Sequence, residues 1–274
     1  MHSSIICEIG TSSMNQPITA HLCYLLTTAC FLLIYEGECS DIIGGQEAAP
    51  HSRPYMALLD TNGYRCAGTL IKDDWVLTAA HCEVNSSTTI KLGVHSIKAD
   101  DTYVQKFKVL RSIRHNYDEK TLDNDIELVQ LSYKAKLTKA VKILPLPNEF
   151  NDVKDGTLCN TAGWGKTQKH NEQLSDKLME VELPALSREK CAAMWQPDQI
   201  TPNMMCTLDA SGKKDACGGD SGGPLICEKM FRGIVSSGPD TCANPKIPGV
   251  YTFLTEDYIK WIEKEINKKT NAIN

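Results

Sequence analysis

From residue 42 onwards the sequence consists of many short apolar runs, separated by turn residues at even intervals. Runs of this length, bounded by Gly, Pro, Asn and Asp, are typical of β-strands. No helical pattern alternates with them, which argues against a parallel sheet with crossover helices. The spacing therefore predicts an all-β domain, either a sandwich or a barrel. The runs include residues 55–59, 69–71, 75–78, 89–92, 107–113, 126–130, 158–163, 180–183, 224–227, 231–236 and 249–252.

Two segments interrupt this pattern. Residues 141–155 contain prolines and several acids, and we predict that they connect two halves of the domain. Residues 255–267 carry an apolar stripe at helical spacing, with acids in the first turn and Thr255 in position to cap the helix. We predict a C-terminal helix there that packs against the domain. The stripe consists of Tyr258, Ile259, Trp261, Ile262 and Ile266.

The segment that precedes the domain has the pattern of a secretory leader. Residues 22–35 are the most apolar stretch of the chain, yet they are shorter than the roughly 20 residues that span a bilayer. Small residues at Gly37 and Cys39 suit cleavage after Cys39, so we expect residues 1–39 to be a signal peptide. No Lys or Arg precedes the apolar stretch, and translation could also start at Met14. The alternative interpretation of residues 22–35 is a helix buried in the core of the domain.

The charge of the remaining chain is nearly balanced. All 29 Lys and Arg follow residue 41, together with all but four of the 34 acids, so 29 positive charges face 30 negative ones and the net charge is −1. A near-neutral domain has no general electrostatic attraction to nucleic acids or membrane surfaces. We therefore expect neither as a partner.

The cysteine count indicates an oxidising compartment. Four of the 12 cysteines lie in the expected leader and eight remain. An even number after a signal peptide predicts disulfides, although their pairing stays open. The closely spaced Cys and His pairs that hold zinc are missing from the sequence, so we predict no metal site and no cofactor. Asn85 begins the single N-glycosylation sequon after residue 42.

Three separated positions could act together as a nucleophile, a base and an orienting acid. His81 ends an apolar run, Asp125 begins another, and Ser221 lies in a glycine-rich stretch over residues 215–224. A serine hydroxyl needs a base to become a nucleophile, and a histidine base needs a carboxylate that holds its tautomer. Each residue alone is open to a structural role, as a buried histidine, a turn acid or a surface-loop serine.

The motifs around these residues, TAAHC, DNDIEL and GDSGGP, resemble those of the chymotrypsin-fold serine proteases. With IIGG at residues 42–45 and with Trp261, the resemblance covers residues 42–267. It implies an all-β fold of two six-stranded antiparallel Greek-key β-barrels packed together, followed by a C-terminal helix. The protease domain would span residues 42–274, with the first barrel in 42–150, the second in 151–254 and the helix in 255–267.

The resemblance also implies a role for each residue of the three positions. His81 would be the general base, Asp125 would orient it, and Ser221 would attack the scissile carbonyl. The backbone N–H groups of Gly219 and Ser221 would form the oxyanion hole. Four disulfides are implied, which use all eight remaining cysteines: Cys66–Cys82, Cys159–Cys227, Cys191–Cys206 and Cys217–Cys242.

Substrate preference follows from the same resemblance. Asp215, six positions before Ser221, would lie at the floor of the primary pocket and pair with a substrate Arg or Lys. Gly238 and Gly249 would form pocket walls that leave room for a long side chain, and Ser236 would also contact the substrate. The expected substrates are proteins and peptides cut after Arg or Lys. A turn-capping role for Asp215 is the alternative.

Activation is implied to require a new N-terminus at Ile42, whose amine would pair with Asp220. The residue before Ile42 is Asp41, so an activator that cuts after Lys or Arg has no site there. Ser40-Asp41 is similar to the acidic dipeptide that a dipeptidyl peptidase removes from granule proteases. Residues 42–59, 91–98 and 227–235 are most similar to granzymes A and K.

Several further expectations follow from this similarity. No cysteine is left for a dimer link, so we expect a monomer that is secreted or stored in cytolytic granules and is blocked by serine protease inhibitors. Two alternatives stay open at this point. One is a digestive or plasma protease with the same chemistry, and the other is a catalytically inactive homologue that acts as a binding module.

Overall fold

The structure is a computed structural model that describes residues 43–169, 171–195 and 199–268, apart from the side chains of Asn171 and Glu172. The expected signal peptide, the dipeptide Ser40-Asp41 and Ile42 lie outside these residues. Within them, no helix is long and apolar enough to cross a membrane.

The described residues form fifteen strands and two α-helices. The strands are β1 (Gln46–Glu47), β2 (Met56–Thr61), β3 (Tyr64–Lys72), β4 (Trp75–Thr78), β5 (Thr89–Leu92), β6 (Gln105–Arg114), β7 (Glu127–Leu131), β8 (Leu158–Gly163), β9 (Lys166–Gln168), β10 (Asn171–Leu174), β11 (Met179–Leu186), β12 (Met204–Thr207), β13 (Pro224–Cys227), β14 (Met230–Ser237) and β15 (Gly249–Phe253). The helices are α1 (Arg188–Met194) and α2 (Glu256–Asn267).

The first barrel is closed by six antiparallel strands in the order β2-β3-β4-β7-β6-β5. Its interior is apolar, because strand β4 is buried along its whole length and Leu77 and Leu128 are fully buried. The β4–β7 register pairs Thr78 with Glu127. The chain that leaves β4 therefore emerges beside the chain that enters β7, which brings the segments of His81 and Asp125 together.

The second barrel is closed by the strands β8-β11-β12-β15-β14-β13, since β8 pairs with both β11 and β13. The expected two six-stranded barrels are thus confirmed. Strand β1 adds to β11 of this barrel, with Gln46 opposite Glu180. Residues 46–47 therefore pair with the second barrel, while the boundary expected between the barrels, at residues 150 and 151, stays a prediction. Strand β1 consists of two exposed polar residues, so no apolar pattern in the sequence predicts this pairing.

The two helices begin at capping hydroxyls. Ser187 accepts a hydrogen bond from Lys190 N in α1, and Thr255 accepts one from Tyr258 N in α2. Tyr258 and Ile262 of α2 are buried in the cluster that also holds the core of the first barrel. The expected C-terminal helix is confirmed, with Thr255 as its cap.

Four disulfides link the described strands and loops. Closing a loop of about 15 residues stabilises a fold by about 3 kcal/mol, mainly by restricting the unfolded chain. The pairs match those implied by the family resemblance: Cys66–Cys82, Cys159–Cys227, Cys191–Cys206 and Cys217–Cys242.

Candidate active site

His81 lies in a short 3-10 turn directly after strand β4. The turn spans Ala80–Cys82 and ends at Glu83, whose left-handed backbone stops the helix. Cys82 is tied to β3 by its disulfide with Cys66. A buried strand and a covalent link on either side hold the half-buried imidazole in place.

Asp125 is fully buried and faces His81. Its Oδ2 lies 2.7 Å from His81 Nδ1, and its Oδ1 accepts a hydrogen bond of 2.9 Å from His81 N. Ser236 Oγ donates a third bond of 2.6 Å to Oδ2. Because a carboxylate only accepts, Nδ1 carries the proton and Nε2 is left as the basic nitrogen.

Ser221 lies in a turn that is pressed against the first barrel. Its carbonyl accepts a hydrogen bond of 2.7 Å from Ala67 N, and Cys82 Sγ lies 3.7 Å from the same oxygen. A Cβ on Gly222 would lie 2.2 Å from Thr78 Oγ1, so only glycine fits at this contact between the barrels. The turn therefore meets the first barrel at the end of the strand that leads to His81.

The N–H groups of Gly219 and Ser221 belong to this same turn, which is stabilised by hydrogen bonds between its own backbone groups. Asp220 N donates to Cys217 O at 2.9 Å, and Gly223 N donates to Asp220 O at 2.9 Å. Gly219 has φ +99°, and a Cβ there would lie 2.8 Å from Gly165 Cα. Both the backbone conformation and the close approach require glycine at this position.

A cavity of about 180 Å³ opens beside Ser221 and is lined by the residues expected for a substrate pocket. Asp215 lines it and is 7% exposed. A Cβ on Gly249 would lie 3.4 Å from Asp215 Oδ1, so glycine keeps the approach to the carboxylate open. Ser236 and Gly238 also line the cavity.

The Asp215 carboxyl is buried with few compensating partners. Burial raises its pKa to about 6, whereas hydrogen bonds from the N–H groups of Ala243 and Ala216 and the charge of Lys169 lower it. The bond from Ala243 N to Oδ2 is 2.6 Å long. The Lys169 ammonium donates to Gly212 O at 2.6 Å and to Ala243 O at 2.9 Å. A cation that entered the cavity would favour the ionised carboxylate.

Asp220 is a second buried carboxyl, and it is fully enclosed. It accepts hydrogen bonds from Gly165 N at 2.8 Å and Cys217 N at 3.0 Å. Burial raises its pKa to about 7, against the effect of those two bonds. Within residues 43–169, 171–195 and 199–268, no cationic side chain pairs with it.

The segment next to Ile42 is docked at the same region. Ile43 is buried, and its carbonyl accepts a hydrogen bond of 3.1 Å from Asp215 N. A Cβ on Gly44 would lie 2.2 Å from Lys213 O, so the chain passes this loop in close contact. The chain therefore runs beside the pocket immediately after the residue at which cleavage is expected.

Sequence reasoning missed several supporting residues. Ser236 was expected only to contact substrate, yet it also donates to Asp125. Thr252 Oγ1 donates to Asp125 O at 2.8 Å, and Lys169 braces the two segments around Asp215. No motif marks these residues in the sequence, because each partner lies far away along the chain.

Two further expectations concern the surface and metals. Asn85 is exposed, and its side-chain oxygen accepts hydrogen bonds from Ser87. In the part of the chain that the structure describes, one group of His, Cys and acidic side chains is close enough for a metal, namely Cys66, His81 and Cys82. Both sulfurs of that group are joined in a disulfide, so they are not available as thiolate ligands.

Several known proteins are similar to this chain in sequence. The sequence model of the trypsin family matches residues 42–262. Granzyme A of Bos taurus is 42% identical over 245 residues, which cover 86% of this chain and 93% of that protein. Mast cell protease 3 of Ovis aries is 42% identical over 253 residues, covering 90% and 97%, and granzyme B of Rattus norvegicus is 41% identical over 251 residues, covering 89% and 98%.

Proposed function

Because the chain belongs to the trypsin family of serine endopeptidases and is related to the granzymes, we propose that it cleaves proteins after Arg or Lys once Ser40-Asp41 has been removed. The observation that carries the proposal is the buried Asp215 carboxylate in the cavity beside Ser221. As a serine endopeptidase it acts on protein substrates and is a target of serine protease inhibitors.

The proposed reaction is acyl transfer through Ser221. His81 Nε2 takes the proton of the Ser221 hydroxyl as its oxygen attacks the scissile carbonyl carbon. The backbone N–H groups of Gly219 and Ser221 stabilise the oxyanion that forms. The proton on His81 then passes to the leaving amine, and the peptide bond breaks to leave an acyl-enzyme. Water attacks that ester by the same route and releases the second product.

Asp125 would support this cycle without exchanging a proton. Its bonds to His81 Nδ1 and N hold the ring so that Nε2 stays the basic nitrogen. The same carboxylate stabilises the positive charge that His81 gains in the transition state. The hydroxyl of Ser236 restrains Asp125 Oδ2 from the side of the substrate cavity.

Specificity would come from the charge of Asp215. A buried carboxylate without a cationic partner is costly, and a substrate guanidinium or ammonium removes that cost on binding. Gly238 and Gly249 leave the path to the carboxylate free of side chains. An apolar substrate side chain would leave the carboxylate unpaired, so it is expected to be cleaved far more slowly.

Activation would come from the new amine of Ile42. Asp220 is enclosed, is held by two backbone N–H groups and has a raised pKa, so an ammonium ion beside it would be stabilising. The hydrogen bond between Ile43 O and Asp215 N supports a path by which the N-terminus affects the pocket. Since Asp41 precedes Ile42, we assign the removal of Ser40-Asp41 to a dipeptidyl peptidase, and we propose a secreted or granule-stored monomer.

A profile of cleavage sites tests the proposal. Protein that begins at Ile42, as shown by N-terminal sequencing, is incubated with a peptide library, and protein that begins at Ser40 serves as the matched control. We expect cuts after Arg and Lys only with the first protein, and none with its Ser221→Ala variant. Comparable cleavage after Phe, Leu or Glu would refute the assigned specificity, and equal activity of the Ser40 form would refute the activation route.

A further inference from the structure

One part of the first barrel has a strongly uneven charge. Residues 102–117 and 128–148 together contain eight Lys and Arg and no Asp or Glu. The chain after residue 41 has a net charge of −1, so these two segments have a positive excess that acidic residues elsewhere in the chain balance. Such clustering produces a local positive potential even when the total charge is close to zero.

The fold brings three of the lysines in this region to one surface, together with a lysine of strand β5. Lys106 lies opposite Lys91 in the β5–β6 register, and Lys106 and Lys108 are both exposed on β6. The segment after β7 runs alongside β6, because Gln105 exchanges two hydrogen bonds with the backbone of Lys136, of 2.8 and 2.9 Å. Lys136 is thereby held next to the lysines of the sheet.

These lysines have no ion-pair partner in the part of the chain that the structure describes. Among the described residues, no carboxylate pairs with Lys91, Lys106, Lys108 or Lys136, and the Lys108 ammonium bonds only to Thr89 Oγ1, at 3.0 Å. Like charges opposite each other on neighbouring strands cost about 0.2–1 kcal/mol. The stability of the fold therefore does not account for this arrangement.

Exposed apolar side chains lie among the lysines. Leu110 is 61% exposed, Tyr133 58% and Leu137 51%. The β6–β7 register skips Leu110, which is the extra residue of a β-bulge between Val109 and Arg111. Leu110 continues the alternation of exposed residues that Lys106 and Lys108 begin on β6, so it faces solvent next to Lys108. We call the surface formed by these residues the basic face: Lys91, Lys106, Lys108, Leu110, Tyr133, Lys136 and Leu137.

We infer that the basic face binds an acidic segment of a partner protein in which apolar side chains alternate with Asp and Glu. The lysines would attract the carboxylates, and Leu110, Tyr133 and Leu137 would contact the apolar side chains. A sulfated polysaccharide would satisfy the charge but would leave the apolar side chains without contacts, so a peptide segment fits the surface better. No residue of the basic face lines the cavity beside Ser221, so this binding is separate from the proposed protease site.

The test measures binding of a fluorescent peptide that contains Asp, Glu, Phe and Ile and no Lys or Arg. Such a peptide offers no site for the proposed cleavage, so the outcome does not depend on protease activity. Fluorescence anisotropy compares the full chain with its Lys106→Glu/Lys108→Glu variant. Lys154→Glu/Lys229→Glu, which changes the same charge at exposed positions in the other half of the domain, is the matched control. Thermal unfolding checks that all three proteins are equally folded.

We expect about tenfold weaker binding for the basic-face variant, because two attractive contacts become repulsive. The control should bind like the unaltered chain. A Leu110→Ser variant, which keeps every charge, should bind the peptide about fivefold more weakly and heparin equally well. Equal weakening by the control variant, or no binding of the peptide, would overturn the inference. A Leu110→Ser variant that binds the peptide normally while the lysine variants lose heparin would identify a polyanion site instead.

Discussion

The Asp220 carboxyl offers a direct test of the proposed activation, by replacement with asparagine in the chain that begins at Ser40. In the structure the carboxyl is fully buried, its only partners among the described residues are two backbone N–H groups, and its pKa is raised to about 7. Folding must therefore either protonate the carboxyl or bury its charge. Asparagine removes that charge and keeps nearly the same shape.

The magnitude follows from the pKa. A carboxyl whose pKa rises from 3.8 to about 7 on folding loses about 4 kcal/mol of favourable free energy when ionised, at about 1.36 kcal/mol for each unit of pKa. The folded state binds this proton more tightly, so the contribution of the Asp220 carboxyl to stability is highest below pH 3.8 and falls as pH rises towards 7. The stability of the asparagine variant lacks this dependence on pH. The NH₂ group of the asparagine must however face one backbone N–H group, and this unpaired donor costs about 1–3 kcal/mol at every pH.

Urea unfolding followed by tryptophan fluorescence measures the effect at about pH 4 and about pH 8. We expect the free energy of unfolding of Asp220→Asn, relative to the unaltered chain, to rise by roughly 4 kcal/mol between the two pH values. Asp155→Asn, at an exposed acid whose pKa is lowered by Lys190, controls for general charge effects and should show a small change. In the chain that begins at Ile42, Asp220→Asn should instead destabilise the fold and abolish activity. A difference between Asp220→Asn and the unaltered chain that does not depend on pH would refute the reasoning.

Three further predictions concern the pocket and the triad of the chain that begins at Ile42. Ser236→Ala should lower kcat on an Arg-amide substrate by about tenfold to a hundredfold with little change in KM, because Asp125 loses a short charged hydrogen bond; an unchanged kcat would contradict this role. Gly249→Val should reduce kcat/KM for Arg substrates by at least about a hundredfold, because the valine side chain would contact Asp215 Oδ1 and block the substrate cation. Titration with a serine-directed inhibitor should still show the full number of active sites. Normal turnover of Arg substrates would contradict the position assigned to the substrate cation. The increase of kcat/KM with pH, expected near pH 6 from the ionisation of Asp215, should move to higher pH in Lys169→Met, because the Lys169 charge lowers the pKa of Asp215. In Lys169→Arg the increase should stay at the same pH. Identical pH profiles of the two variants would contradict this effect of the Lys169 charge.

The basic face and the protease site are expected to depend differently on the N-terminus of the chain. Under the proposed activation, only protease activity would depend on a new N-terminus, because Asp220 and Ile43 lie beside the substrate pocket, whereas the lysines of β5 and β6 lie on the first barrel. Binding through the basic face should therefore be the same for chains that begin at Ser40 and at Ile42. Comparing peptide binding by the two forms distinguishes the two proposals experimentally.

The sequence by itself determined the features that depend on neighbouring residues. The apolar runs predicted strands such as β4 and β7, and the apolar stripe with its capping Thr255 predicted helix α2. These predictions succeed because strand and helix periodicity is a local property of the chain. The family motifs added the two-barrel fold, which no local pattern specifies, and the roles proposed for His81, Asp125 and Ser221.

Only the tertiary structure decided how distant segments meet. Strand β1 joins the second barrel, Ser236 donates to Asp125, and Lys169 braces the loops around Asp215. The raised pKa values of Asp215 and Asp220 are likewise tertiary effects, because both arise from burial by segments far apart in the sequence. Burial and long-range hydrogen bonds depend on how the two barrels and their loops close around a side chain, and the sequence around each residue contains no signal of that enclosure.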